Sequence, residues 1–205
     1  IGKNYPKGRT SETMKICVYG AASSKIDEMY VNDVYNLAKY LGERGHSLVF
    51  GAGAQGLMGA AARGFKDAGA KVFGVIPKFF EENGFEGIFY DADELHFTET
   101  MAERKQMMED ECDAFVIVPG GIGTFEEFFQ VLTLKQLGRH KKAIVVYNSF
   151  GYYDELERIM EETIKKGFVN EECRKIYKIV DTAKEVSDYL ENYDSADVNW
   201  NRLKR

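Results

Sequence analysis

"VPGGIGTFEEFF", residues 118–129, ends an apolar run with three glycines in four positions and then sets Glu126 beside Glu127. The run that leads into it, "AFVIVPG" (114–120), is continuously apolar, as a strand buried on both faces of a sheet should be. Helical periodicity follows, over residues 124–137. Strand, glycine turn and helix in this order form part of a parallel β-α-β unit, and the same succession recurs along the chain.

Further strands are predicted at "KICVYGA" (15–21), "SLVFGAG" (47–53), "KVFGVIP" (71–77), "KAIVVYN" (142–148) and "KIYKIVD" (175–181), with a weaker one at "ELHFTE" (94–99). Amphipathic helices are predicted between them, over 30–45, 56–69, 100–112, 124–137, 152–166 and 182–191. The first carries Val31, Val34, Leu37, Ala38 and Leu41 on one stripe and stops at Gly45. Such alternation predicts an α/β fold, a Rossmann-like, doubly wound and mostly parallel sheet with helices on both faces. Residues 14–192 make a single domain on this reading. Residues 1–13 are a loose arm or an expression remnant, and 193–205 a C-terminal tail.

A chain of 205 residues suits one such domain. Its formal net charge of −6 argues against a broad surface for nucleic acid or an anionic membrane. No apolar stretch approaches the ~20 residues that span a bilayer. Cys17, Cys112 and Cys173 are odd in number and far apart, so neither a disulfide framework nor a thiolate metal site is expected, which fits a reducing cytoplasm. His46, His96 and His140 are equally scattered, and no metal is predicted.

Ligands of doubly wound sheets sit beyond the carboxyl ends of the strands, and three loops there invite attention. "YGAASS" (19–24) has small residues and the hydroxyls of Ser23 and Ser24, although a serine-capped helix start explains it equally well. "FGAGAQGLMGAA" (50–61) fits G-x-G-x-x-G through Gly51, Gly53 and Gly56. It follows the second strand, however, and the next strand ends "GVIPK" without an acid for a ribose hydroxyl, so NAD is not expected. A loop shaped around another phosphate or ribose is. In the third loop, Gly120, Gly121 and Gly123 allow positive φ and leave bare amides at a helix start, where amides and dipole together suit a phosphate. No Gly-Lys-Ser/Thr follows, which disfavours triphosphate transfer.

The carboxylates have two readings. Thr124 to Glu127 matches a capping box, with Thr124 as N-cap and Glu127 reaching back to its amide. A glutamate at the mouth of an anion site also stands beside whatever the phosphate carries, and near a sugar it could stabilise oxocarbenium-like charge or orient a water. In "TETMAERKQMMED" (98–110), Thr100 and Glu103 form another predicted capping pair, which puts Arg104 and Lys105 against the helix dipole. Pairing with Glu103 or Glu109 would account for them. An anionic ligand accounts for them better, because arginine's fork suits phosphate.

On these residues the chain resembles the Lonely Guy family of cytokinin-activating phosphoribohydrolases. The family pattern P-G-G-x-G-T-x-x-E is complete as Pro119, Gly120, Gly121, Gly123, Thr124 and Glu127. The arginine-lysine pair stands as Arg104 and Lys105, and the "GLMG" element as Gly56, Leu57, Met58 and Gly59. The likeness runs from about residue 14 to 190 and departs at "GAASSKID" (20–27), where many members have a serine pair followed by glycine.

The resemblance implies hydrolysis of the N-glycosidic bond of a nucleoside 5′-monophosphate, AMP or an N6-substituted AMP, to free base and ribose 5-phosphate without a cofactor. It implies Arg104 and Glu127 as the catalytic pair. Phosphate and substrate contacts would come from Gly120, Gly121, Gly123 and Thr124, with Lys105, Pro119, Ser23 and residues 56–59 beside them. It also implies a homodimer, or a higher oligomer, with sites near the subunit interface. Two rivals stand beside the hydrolase. One is a non-catalytic carrier resembling molybdenum-cofactor carriers, which share a similar fold and glycine loop. The other is a "lysine decarboxylase", which needs a Schiff-base lysine for pyridoxal phosphate; Lys105 beside Arg104 in an anion site suits that poorly. Arg104 together with Glu127 favours the hydrolase. Met58, Met101, Met107 and Met108 could line an apolar base pocket or belong to the core.

Overall fold

The computed structural model describes residues 13–82 and 87–203. Strands and helices alternate from the start: β1 (Lys15–Tyr19), α1 (Glu28–Glu43), β2 (Ser47–Phe50), α2 (Gly56–Asp67), β3 (Val72–Pro77), a short α3 (Lys78–Glu82) and β4 (Glu94–Thr98). The second half repeats the pattern with α4 (Met101–Glu111), β5 (Ala114–Ile117), α5 (Ile122–Gln136), β6 (Ala143–Tyr147), α6 (Asp154–Lys165), β7 (Lys178–Val180) and α7 (Ala183–Asn192). The seven strands form one sheet in the order β4-β3-β2-β1-β5-β6-β7. Every neighbouring pair is parallel. The predicted doubly wound sheet is therefore present, and fully parallel rather than mostly so.

The continuous apolar runs are explained by two cores, one on each face. Alternate residues of a strand point to opposite sides, so Ile16 and Val18 join the core under α1, α2 and α7. Cys17 and Tyr19 join the other, with Met108 of α4, Phe128 and Val131 of α5, and Met160 of α6. Cys17, Cys112 and Cys173 are all buried. The predicted arm lies, apart from Thr13, outside the described residues. After α7 the chain returns to the second core, where Val198 and Leu203 are buried.

Three strands end two or three residues sooner than predicted, at Tyr19, Phe50 and Ile117 instead of 21, 53 and 120. The surplus residues are small or apolar, which extends the apolar signal beyond the hydrogen-bonded ladder, and they form the loops that matter below. The weak strand signal at 94–99 belongs to β4 at the sheet edge, where Glu94 and His96 are exposed and lie 3.3 Å apart. None of the described helices is long and apolar enough to cross a membrane.

Candidate active site

The strand order reverses between β1 and β5, because the chain walks outward from β1 to β4 and then returns to β1's other side. Loops leaving these two strands diverge, and a crevice opens between them. A cleft of about 660 Å³ lies there, lined by the loops after β1, β2 and β5 and by α4. Its size is within the range of small-molecule sites, roughly 300–1,000 Å³.

On the β5 side, α5 begins at Ile122, two residues before the predicted start, with Gly121 as N-cap at φ −96° and ψ −152° and no side chain capping it. The first intrahelical bond runs from Phe125 N–H to the Gly121 carbonyl, 3.0 Å. The amides before it belong to the unpaired first turn of the helix. Thr124 therefore sits inside this turn and is not its N-cap, so the predicted capping box with Glu127 does not form. None of Gly120, Gly121 and Gly123 has a positive φ, contrary to the sequence reading. Their bareness has other causes. A Cβ at Gly120 would stand 2.1 Å from Thr124 Oγ1. At Gly121 and Gly123 it would meet nothing within 4 Å, and both line the cleft. The backbone there faces open space at the positive end of a helix, as an anion site requires.

Glu127, one turn further along α5, reaches α4 rather than its own backbone. Arg104 donates from Nη1 to Glu127 Oε1 at 3.0 Å and from Nε to the Val75 carbonyl at 3.3 Å. Thr100 and Glu103 form the predicted reciprocal cap at the start of α4, which fixes Arg104 one turn in. Arg104 is only 7% exposed. Burial pushes the Glu127 carboxyl above its ordinary value, and the Arg104 guanidinium opposes that rise. Both residues line the cleft. Lys105 follows the same pattern one residue on, donating from Nζ to Glu126 Oε1 at 2.6 Å, but it lies outside the lining.

Gly51 explains how Arg104 fits. A Cβ at this position would stand 1.9 Å from Arg104 Nη2. Gly51→Ala is expected to push the guanidinium off Glu127 and reduce turnover by about 10²-fold, the scale of loss when a reacting group is displaced by an ångström. Steady-state kinetics together with a thermal melt check this, since the melt should change far less than the rate.

The "GLMG" element is placed differently from the prediction. Leu57 N–H and Met58 N–H both donate to the Ala21 carbonyl, at 2.8 and 3.2 Å, so the start of α2 is closed by the first loop instead of an anion. Gly56 has φ +58° and packs against that loop, Gly59 lies against the Ala54 carbonyl, and Leu57 is wholly buried. Of these four only Met58 lines the cleft. Pro119 and Gly120 also lie outside the lining. Their carbonyls are held from behind, Pro119 O by Ala21 N–H at 3.1 Å and Gly120 O by the Tyr152 hydroxyl at 2.8 Å. The structure thus brings Ser23, Met58, Arg104, Gly121, Gly123, Thr124 and Glu127 together. It adds Lys25, Gln55, Ile76, Phe80 and Ile88, which stand on separate elements and share no motif. Met101 is in the wall, whereas Met108 is fully buried and Met107 packs against the second core.

An all-parallel sheet with a glycine-lined cleft at its switch point defines a Rossmann-like ligand-binding protein. The fold is shared with the molybdenum cofactor carrier protein of Chlamydomonas reinhardtii, at a TM-score of 0.65 and 21% identity over 87% of this chain and 98% of that one. It is shared too with the molybdenum cofactor binding protein of Rippkaea orientalis, at a TM-score of 0.66 and 16% identity over 86% of this chain and 94% of that one. Sequence comparison goes further. A family model described as "Possible lysine decarboxylase" matches residues 58–190. Cytokinin riboside 5'-monophosphate phosphoribohydrolase LOG of Oryza sativa subsp. japonica is 37% identical over 185 residues, 90% of this chain and 76% of the rice protein. A cytokinin riboside 5'-monophosphate phosphoribohydrolase of Arabidopsis thaliana is 36% identical over 183 residues, 89% of this chain and 85% of its own length. The chain belongs to this phosphoribohydrolase family.

Proposed function

We propose that the protein hydrolyses the N-glycosidic bond of a nucleoside 5′-monophosphate to free base and ribose 5-phosphate. One observation carries this reading: a buried Arg104–Glu127 pair shares a cleft with the uncapped start of α5. The amides of Gly121 to Thr124 take the 5′-phosphate, and the dipole of α5 favours its charge. That anchor sets the ribose against Glu127, one helical turn away. As the C1′–N bond breaks, its electrons leave with the base, which takes up a proton, and positive charge grows on C1′ and the ring oxygen. The Glu127 carboxylate faces that charge and positions the water whose oxygen adds to C1′ and whose released proton balances the one taken up by the base. Arg104 keeps the carboxylate ionised against the pull of burial. Positioning and electrostatic stabilisation of this kind are each worth several kcal/mol.

The residues do not fit a decarboxylase using pyridoxal phosphate. A Schiff base needs an enclosed lysine, and among the described residues the lysine of the lining is Lys25, which is exposed. The wall of the cleft also carries the apolar side chains of Met58, Ile76, Phe80 and Ile88. Such a wall suits a purine face and an apolar group on its N6 position. Purified protein is expected to release ribose 5-phosphate from AMP and from N6-isopentenyl-AMP, with the higher kcat/KM for the second. Binding of both without release of sugar phosphate would leave the carrier reading instead.

The active unit is a homodimer on this proposal. Ile122, Phe129 and Leu137 are exposed apolar residues on α5 and its C-cap, with Ile122 90% exposed. Light scattering should give the mass of two chains or a multiple, and a monomer would refute the assignment. Three buried, unpaired thiols suit a reducing cytoplasm.

A further inference from the structure

The phosphate-binding reading assigns the work of the third loop to backbone amides, and amides hold position only if their peptide planes are held. Three successive carbonyls of this loop each accept a hydrogen bond, two from the turn before α6 and one from the loop after β1. Val118 O accepts from the Tyr153 hydroxyl at 2.8 Å, Pro119 O from Ala21 N–H at 3.1 Å, and Gly120 O from the Tyr152 hydroxyl at 2.8 Å. In a trans peptide the N–H points opposite the C=O, and the described chain has no cis bond. Fixing the Gly120 carbonyl towards Tyr152 therefore turns the Gly121 amide the other way, and Gly121 is a residue of the cleft wall.

The turn that delivers the two tyrosines is itself strained. Phe150 has φ +51° and ψ 32°, a left-handed conformation rare for a bulky side chain, and Gly151 follows at φ +74°. Asn148 secures it, accepting from Tyr153 N–H at 2.6 Å and donating to Asp154 at 2.8 Å and Asp181 at 3.0 Å. Tyr153 is 1% exposed and packs edge-on against Phe125 in the first turn of α5, with ring centroids 6.1 Å apart. Tyr152 is braced edge-on by Tyr30 at 5.9 Å.

We infer that Tyr152 is a positioning residue for phosphate recognition, holding the Gly120–Gly121 peptide plane so that the Gly121 amide at the start of α5 meets a ligand's dianionic phosphate already aligned. The inference rests on the proposed phosphate site. It concerns the anion end of the substrate and not the base. Tyr152→Phe keeps the ring and removes the hydroxyl at a partly exposed site, where the loss should leave folding intact. It is expected to raise KM for AMP about tenfold with kcat within about threefold, the scale of one lost hydrogen bond in ground-state binding. Ribose 5-phosphate should bind about tenfold more weakly by calorimetry, while adenosine, which lacks the phosphate, should bind within about twofold of the unmodified protein. Tyr153→Phe, whose partner Val118 O belongs to a peptide with the Pro119 nitrogen and therefore no N–H, should raise KM for AMP less than Tyr152→Phe does. Equal loss for adenosine and ribose 5-phosphate, or no loss for either, would overturn the inference. If the unmodified protein turns over AMP and Tyr152→Phe keeps its KM, this inference alone fails. If it binds ribose 5-phosphate but releases none from AMP, the hydrolase reading fails, and the selective loss in Tyr152→Phe still supports the positioning role.

Discussion

Glu127→Gln is expected to lower release of ribose 5-phosphate from AMP by at least about 10²-fold, the scale seen when one group facing transition-state charge is removed. The substitution keeps shape and keeps an oxygen able to accept from Arg104 Nη1, now 3.0 Å away. It removes charge alone. The change leaves the buried Arg104 guanidinium without its counter-charge, so the melting temperature should fall, though less than if the amide oxygen could not still accept from Nη1. AMP binding should remain measurable, because the α5 amides are untouched. A folded variant that still turns over AMP would show that Glu127 serves the helix packing and not the sugar.

Arg104→Met should cost more than activity. It strands Glu127 in a site where the carboxyl is 11% exposed, and breaking a buried pair from one side typically costs about 3–5 kcal/mol. With the guanidinium gone, only the weaker pull of Lys105 opposes burial, and the Glu127 carboxyl rises further. Activity needs the ionised form and falls as pH drops through that value. The acid limb of kcat/KM should therefore move to higher pH, with turnover at neutral pH down by about 10²-fold. Stability should follow the opposite course. A carboxyl raised above its unfolded value of 4.5 binds its proton more tightly when folded, so the protein gains stability as pH falls toward 4.5 and loses it as pH rises through the raised value. The deficit in Arg104→Met should thus be smaller near pH 5 than near pH 8, read from thermal melts at both. An unmoved acid limb, or a deficit that grows on acidification, would contradict the coupling.

Much of the fold was legible because parallel strands buried on both faces leave long apolar runs that helical stretches interrupt regularly. Strand ends were not. Gly51 to Gly53 and Val118 to Gly120 are small or apolar, and nothing in side-chain polarity marks where a ladder stops. The capping-box reading of Thr124 and Glu127 failed for a related reason: α5 could begin earlier, at Ile122 behind Gly121, so the helix frame shifted by two residues. "GLMG" looked like a second anion site because its sequence pattern is that of a glycine-rich helix start, but the acceptor for its amides, the Ala21 carbonyl, comes from a loop thirty-odd residues earlier. Arg104 and Glu127 could each be singled out from local sequence. Their contact could not, since it depends on α4 and α5 facing each other across the cleft. Tyr152 and Tyr153 carried no motif at all.

The border of the sheet has a bearing on assembly. β4 turns Glu94 and His96 to solvent along one margin, and the other margin, β7, is three residues long with Lys178 exposed. Hydrated charge on a short margin resists pairing with another backbone. Edge-to-edge growth into a ribbon is therefore disfavoured at both margins of the sheet.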